Sequence, residues 1–411
     1  MGDNLLNDGI LPGIQAEPEA IVAGHICLDV FPTLSGGSVV YKPGQTIEAG
    51  PVIFSTGGAV SNTGLALYKL GVSTGLMGKV GSDLFGQAIL HIIESHGPGL
   101  SEGMVVVPGE SSSYSIILSP PNADRMLIHA PGCNATFGAD DVRYDMLKTV
   151  RLFHFGYPPL MERMYADNGA ELVTIFQRVK TMGIITTLDL SMPDPGSTAG
   201  RADWYAILSA TLPHVDVFLP SAEEILLILR RPLFDQLAAN AHNSRPLEQM
   251  GPGIISELGQ ALLDMGAKIV GLKIGDRGLY LRTANAAILT KMGRSWIADA
   301  VAWSDRELWA PCFATQVAGT TGSGDATIAG FLMGLLRGMA PEETLKAACA
   351  VGACNVEAVD ALSGIRSWPE TAERIAAGWP RLPIALDLAE AGWLWDGSHE
   401  VWIGPMDRKR S

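Results

Sequence analysis

Between residues 140 and 283 short apolar runs alternate with stretches of helical character, and no other feature restricts the fold of this chain as much. A strand at Leu152–Phe155 precedes a helical pattern over about 161–182, ended by Gly183. Ile184–Asp189 is a second buried strand, and a helix near 201–211 leads to a third at Val215–Leu219. A helix over 254–265, closed by Gly266, precedes the strand Lys268–Ile274. Strands separated by helices pair in parallel, so the expected fold class is α/β, with a doubly wound, mostly parallel sheet flanked by helices. Ile21–Asp29 reads as one more buried strand, with an acid near its carboxyl end. Ligands of open parallel sheets sit beyond those ends, which makes Asp29 a candidate ligand group; a turn-forming aspartate is the plainer alternative.

The segments 31–54 and 104–130 behave differently. Gly and Pro punctuate short β runs there, which predicts a small antiparallel sheet set apart from the α/β body, in the position of a lid. Arg125 and His129 lie on it at alternating spacing, facing either a substrate or solvent. Between the two segments, Gly57 and Gly58 make a turn, and a helix with leucines at 65, 67 and 70 stops at Gly71. Asn62 falls in its first turn, where its amide can share space with Asp29.

Later, Pro220-Ser221-Ala222-Glu223-Glu224 opens a helix with Ser221 as its N-cap, and the two acids suit the helix dipole. Gly275-Asp276-Arg277-Gly278 is a tight turn after the strand that carries Lys273. Ala318–Arg337 then places Gly319, Gly322, Gly324 and Ser323 around one acid, Asp325, directly before a long apolar helix. Glycines let backbone N–H groups approach a ligand closely, and a helix start favours an anion such as phosphate. An acid beside an anion cradle is useful if it deprotonates a nucleophile attacking a phosphoryl group; otherwise Asp325 is a cap after a glycine turn.

Other chemistries are excluded by what is missing. The chain has no G-x-x-x-x-G-K-[ST], no complete G-x-G-x-x-G, no H-E-x-x-H and no CxxC. A net charge of -14 argues against nucleic acid or an anionic membrane surface as the main partner. No apolar stretch reaches the roughly 18 residues that cross a bilayer, and the start lacks the features of a signal peptide. Five cysteines without metal spacing suit a reducing, cytoplasmic location.

In this order the glycine turn with Asn62, the early Asp29, the glutamate-bearing helix start and the GSGD loop resemble the PfkB carbohydrate kinase family, the ribokinase-like group, over roughly residues 20–370. Gly57-Gly58-Ala59-Val60-Ser61-Asn62 is similar to the family's first signature, and Thr320-Thr321-Gly322-Ser323-Gly324-Asp325 to its second. The resemblance implies a phosphotransferase acting on a sugar hydroxyl with ATP and Mg²⁺. In it Asp325 would be the base, and the backbone of Gly322, Ser323 and Gly324 the anion hole. Asp29, Gly57, Gly58 and Asn62 would bind acceptor hydroxyls, with Arg125 beside them. Glu224 would handle the metal, and Lys273, Gly275, Gly278, Thr321 and Asn355 the nucleotide. Ser221 stands where the family often has Asn. Gly319 stands where it often has Asp, which leaves a monovalent cation open.

The implied layout is a lead-in over 1–18, a kinase domain over 19–378, and a tail over 379–411 whose Trp393, Trp395 and Trp402 pack on the surface or on a partner subunit. A homodimer formed through the lid is expected. A nucleoside kinase of the same family and a non-catalytic sugar or nucleotide sensor are the alternatives.

Overall fold

Successive residues of the first strand, β1 (Ala20–Gly24), point into opposite layers: Ala20 and Val22 join one apolar cluster, Ile21 and Ala23 the other. That two-residue period in a fully buried strand gives a sheet covered on both faces. The structure, a computed structural model, describes residues 17–33, 44, 46–118, 126–240, 246–294 and 299–410. Among them the main sheet has ten strands, in the order β15 (Leu394–Asp396), β16 (Val401–Ile403), β14 (Glu307–Ala310), β13 (Leu279–Thr283), β12 (Ile269–Lys273), β11 (Val217–Phe218), β10 (Ile185–Leu188), β9 (Leu152–Gly156), β1 and β4 (Thr74–Met77). From β12 to β4 every pairing is parallel, and the other four strands extend the sheet antiparallel. The chain thus has the α/β class that its strand–helix alternation predicts.

The helix Ser323–Leu336 runs buried between the helices Ala59–Lys69 and Pro341–Asn355. Its glycines allow the close approach: a Cβ on Gly330 would lie 2.9 Å from the Ala347 carbonyl oxygen. On Gly334 it would lie 3.1 Å from Thr344 Cγ2.

The smaller sheet is β3 (Val52–Gly57), β2 (Cys27–Pro32), β7 (Tyr114–Leu118) and β8 (Met126–Ala130), in that order. Its outer pairs are antiparallel, but β2 and β7 run parallel. Val105–Val107, read with the lid from sequence, pairs instead with Lys79–Gly81 as a separate ribbon. Ile53, Phe54, Leu127 and Ile128 stay at least half exposed on the two edge strands of this sheet.

Three further sequence expectations are corrected. Ile21–Asp29 is two strands, not one. Gly24 takes φ +120, His25 N–H bonds back to the Gly156 carbonyl, and the Asn134 side chain binds both backbone groups of Ile26, so the chain leaves the main sheet there and enters the lid. The helix expected over 161–182 is broken by left-handed backbone at Asp167, Asn168 and Gly169, and only Ala170–Thr181 forms its long part. Finally, the tail enters the main sheet as β15 and β16. Trp393 is buried with its ring 5.8 Å from Trp309 and 6.1 Å from Tyr280. Arg306, fully buried, pairs with Asp407 at 2.9 Å and Glu342 at 2.8 Å and fastens the last residues to the body. Trp296 and Arg125 lie outside the described residues.

Candidate active site

Asp325 sits in the first turn of Ser323–Leu336, where N–H groups lack intrahelical acceptors and the helix end is positive. The helix starts cleanly because Gly322 takes φ +71, a left-handed conformation, in a space where a Cβ would stand 2.6 Å from Ala361 Cβ. Three neutral donors hold the buried carboxylate. Thr63 Oγ1 donates to Oδ1 at 3.1 Å; Asn62 Nδ2 at 3.1 Å and the Tyr157 hydroxyl at 2.7 Å both donate to Oδ2. Asn62 and Thr63 come from Ala59–Lys69, and Tyr157 follows the carboxyl end of β9. Burial raises the pKa of Asp325 above the usual carboxylate range, while Tyr157, Lys273, Asn62 and Thr63 pull against that rise.

Lys273, at the end of β12, brings Nζ to 2.6 Å from Asp189 Oδ1, just past the end of β10. Burial works against the Lys273 charge, but Asp189, Glu224 and Asp325 outweigh it and raise its pKa. Asp189 is pushed up to about 8, first by burial and then by Glu224 and Asp325, against the pull of Lys273. Burial likewise raises Glu224. A Cβ on Gly324 would lie 3.8 Å from Lys273 Nζ, so the ammonium rests against the glycine loop. Cation and helix start together make a site suited to an anion.

Glu224 closes a capping box: Ser221 N–H donates to its Oε2 at 2.7 Å, and its own N–H reaches Ser221 Oγ at 3.2 Å. Among the described residues no group of three or more potential ligands forms a metal cage. Mg²⁺ bound with phosphates takes one or two carboxylates and keeps water. Two buried acids with raised pKa values, Asp189 and Glu224, fit that role, since a divalent cation would relieve their repulsion.

On the lid side, Asp29 of β2 lays its carboxylate over Gly57, where any Cβ would overlap it, and accepts from Cys27 Sγ at 3.3 Å. Gly58 takes φ +88, and a Cβ there would meet His25 Nδ1 at 2.5 Å. His25 is buried and neutral, its pKa lowered to about 3 by burial and then by His129. Its ring lies 5.3 Å from that of His129 and 6.3 Å from that of Tyr157. Among the described residues, His25 Nδ1 and Nε2 and Asn62 Oδ1 are buried without a hydrogen-bond partner. Buried polar atoms are nearly always satisfied, so a polar ligand between the small sheet and the body would supply the partners that these three lack.

On the opposite side of the loop, Gly275 (φ +59) and Gly278 (φ +94) form the turn after Lys273; a Cβ on Gly278 would overlap the Ala310 carbonyl. Thr321 lies half-buried in the glycine loop. Asn355 does not present its amide to solvent: Nδ2 donates to the Ala361 carbonyl at 2.6 Å, which holds the segment that abuts Gly322. Beside this loop is a cavity of about 520 Å³ lined by Thr315–Ala318, Glu357 and Arg374. Gly319 has little room for any larger residue, with the Ala358 and Val359 carbonyl oxygens 2.9 and 2.8 Å from a Cβ.

The structure thus brings Asp29, Gly57, Gly58, Asn62, Glu224, Lys273, Gly324 and Asp325 to one end of the sheet. Tyr157, Thr63, Asp189 and His25 join them and were not singled out from sequence. Asp189 carried a usable signal, an acid closing a buried strand, the pattern that marked Asp29. Tyr157 carried none.

A family model described as pfkB family carbohydrate kinase matches residues 19–368. An uncharacterized sugar kinase of Archaeoglobus fulgidus is 26% identical over 304 residues, 73% of this chain and 98% of that protein. Fructokinase-2 of Oryza sativa subsp. japonica is 25% identical over 187 residues; the match takes in 45% of this chain and about half, 52%, of that protein. Among solved structures, Arabidopsis thaliana ribokinase complexed with ribose and ATP superposes with a TM-score of 0.64 at 18% identity, covering 87% of this chain and 98% of that one. This likeness shows the ribokinase-like fold.

Proposed function

The chain belongs to the pfkB family of carbohydrate kinases, phosphotransferases with an alcohol group as acceptor, and we propose that it transfers the γ-phosphoryl group of ATP to a hydroxyl of a sugar or sugar-like molecule, with Asp325 as general base. One observation carries this reading: a buried carboxylate at the start of a glycine-entered helix, within hydrogen-bonding reach of Asn62 on the acceptor side and facing Lys273 on the anion side. The ribose- and ATP-bound plant ribokinase and the plant fructokinase support ATP and a sugar as the substrates.

In this mechanism Asp29, Gly57, Gly58, Asn62 and the unpaired atoms of His25 orient the acceptor, with Arg125 added from outside the described residues. Asp325 takes the hydroxyl proton as the oxygen attacks the γ-phosphorus, and the bond to ADP breaks. The backbone N–H groups of Gly322 and Gly324, joined by that of Ser323 once it lets go of the Thr320 carbonyl 3.3 Å away, meet with Lys273 the charge that spreads over the transferring oxygens. Gly275, Gly278, Thr321 and the segment held by Asn355 flank the nucleotide. Glu224 and Asp189 are the side chains that would hold Mg²⁺, which would offset the negative charge of the phosphates.

The rings of His129 and Tyr157, tilted by 44° and 36° from that of His25, favour one second reading, a nucleoside kinase of the same family, because one of the three ring faces could stack on a base. A pure sensor gains nothing from a base beside a phosphate. The exposed Ile53, Phe54, Leu127 and Ile128 support a homodimer through the lid. Five unpaired cysteines fit a reducing cytoplasm. No helix among the described residues is long and apolar enough to cross a membrane.

The test is ATP consumption over a panel of sugars and nucleosides, with Asp325→Asn beside the wild type. The variant should lose turnover by about 100-fold or more, the scale of general-base catalysis, while binding ATP as before. Near-normal kcat would remove Asp325 as base, and turnover on no sugar but on a nucleoside would favour the second reading.

A further inference from the structure

Tyr157 combines two features that local structure does not require of each other. Its backbone is left-handed, φ 65 and ψ 41, a conformation that favours Gly or Asn and that a bulky residue adopts only under constraint. Its hydroxyl donates to Asp325 Oδ2 at 2.7 Å across 168 residues of chain. Proline at 158 and 159 and the buried Gly156 hold this turn, and the ring stands beside His25, on the acceptor side of the carboxylate.

The hydrogen bonds around Asp325 show what that hydroxyl occupies. A carboxylate oxygen has two lone-pair sites. Oδ2 uses both, on Asn62 and Tyr157, while Oδ1 holds Thr63. Of the three donors Tyr157 alone is an alcohol reaching Asp325 from outside the Ala59–Lys69 helix, so it is the one that stands as an incoming alcohol would. An alcohol held against Oδ2 is also what keeps water from that oxygen.

We propose that Tyr157 is a positioning residue that holds the acceptor's place on Asp325 Oδ2, keeping water off that oxygen until a substrate hydroxyl displaces the phenol. The proposal rests on the reading of Asp325 as base. Without the phenol, water can take the vacated lone pair: its oxygen attacks the γ-phosphorus of ATP, its proton passes to Asp325, and the bond to ADP breaks, giving ADP and inorganic phosphate.

The experiment uses the full chain with MgATP and no acceptor, comparing wild type, Tyr157→Phe and Tyr157→Phe/Asp325→Asn. Phosphate release by Tyr157→Phe should rise about tenfold or more, the ratio one hydrogen bond to a charged group is worth, and the double variant should lose that gain. With an accepted sugar, Tyr157→Phe should lower the acceptor KM, because no hydrogen bond has to be displaced, and raise the ratio of hydrolysis to transfer. Acceptor-free hydrolysis at or below the wild-type rate in a Tyr157→Phe protein that melts like wild type overturns the proposal. A gain that survives Asp325→Asn overturns it too. The kinase reading is judged separately: if wild type phosphorylates nothing in the panel while Tyr157→Phe gains Asp325-dependent hydrolysis, the acceptor assignment fails and this inference stands.

Discussion

Lys273 Nζ lies 2.6 Å from Asp189 Oδ1, and the same ammonium is the countercharge for Glu224 and Asp325. Three buried acids around one lysine would carry surplus negative charge if all were ionised, and burial together with that repulsion pushes Asp189 up to about 8. That surplus suits a site that receives Mg²⁺ with a nucleotide, and it strains the empty protein.

The strain should be visible as pH-dependent stability. Asp189 has its folded pKa pushed up to about 8, above its ordinary 3.8, so across that window the folded protein keeps a proton the unfolded chain has released. The contribution of this group to stability therefore falls as pH rises from 4 to 8. Asp189→Asn never has to ionise. Its melting temperature relative to wild type should climb between pH 5 and pH 8; a flat difference across that range would mean Asp189 is ionised throughout.

Gly57 is expected to be intolerant of even one methyl group. In Gly57→Ala the new Cβ overlaps the Asp29 carboxylate and pushes it from the acceptor side. Acceptor KM should rise about tenfold or more, as when a charged hydrogen bond is lost, with nucleotide KM nearly unchanged. An equal effect on both would place Asp29 at the wrong end of the site.

The exposed apolar strip of the lid makes a prediction about assembly. Ile53, 60% exposed, and Leu127, 54% exposed, lie on opposite edge strands. Small-angle scattering should show a dimer for wild type and a monomer for Ile53→Lys/Leu127→Lys with its melting temperature retained. A monomeric wild type would refute the lid interface.

Arg306 is the test of the tail's attachment. Replacing it with Met leaves Glu342 and Asp407 as two buried acids without their common partner. Removing one member of a buried ion pair typically costs about 3–5 kcal/mol, so denaturant unfolding of Arg306→Met should lose that much. A loss below about 1 kcal/mol, the value of a surface pair, would show that the tail is held by its tryptophans instead.

What could be read in the sequence was local. Apolar runs and glycine stops mark the parallel strands and their crossovers, and glycines beside Asn62 and Asp325 mark the two halves of the site. Lys273 was legible as a residue just before the Gly275–Gly278 turn, but its place among three acids depends on strands β10, β11 and β12 lying side by side. Tyr157 was hidden because its partner is 168 residues away and its left-handed turn lacks the Gly or Asn that usually signals one. The break after Gly24 was missed because Ile26 and Cys27 continue the apolar run, while the group that draws the chain aside is Asn134, far along the sequence. The tail strands are three residues each, too short for a periodic signal, and their neighbour β14 is remote.

That remote pairing also sets a timetable for synthesis. β14 gains its outer neighbour only when residues 401–403 arrive to pair Leu308 with Ile403 and Trp309 with Trp402. At a translation rate of about 5–20 residues per second, the interval from one strand to the other is on the order of 5–20 s. Through it a nascent chain that already holds Asp29, Asn62 and Asp325 still carries a bare, apolar strand edge, open to pairing with a neighbouring chain. Slow translation late in the message would lengthen that exposure, and a chaperone that covers β14 would shorten it.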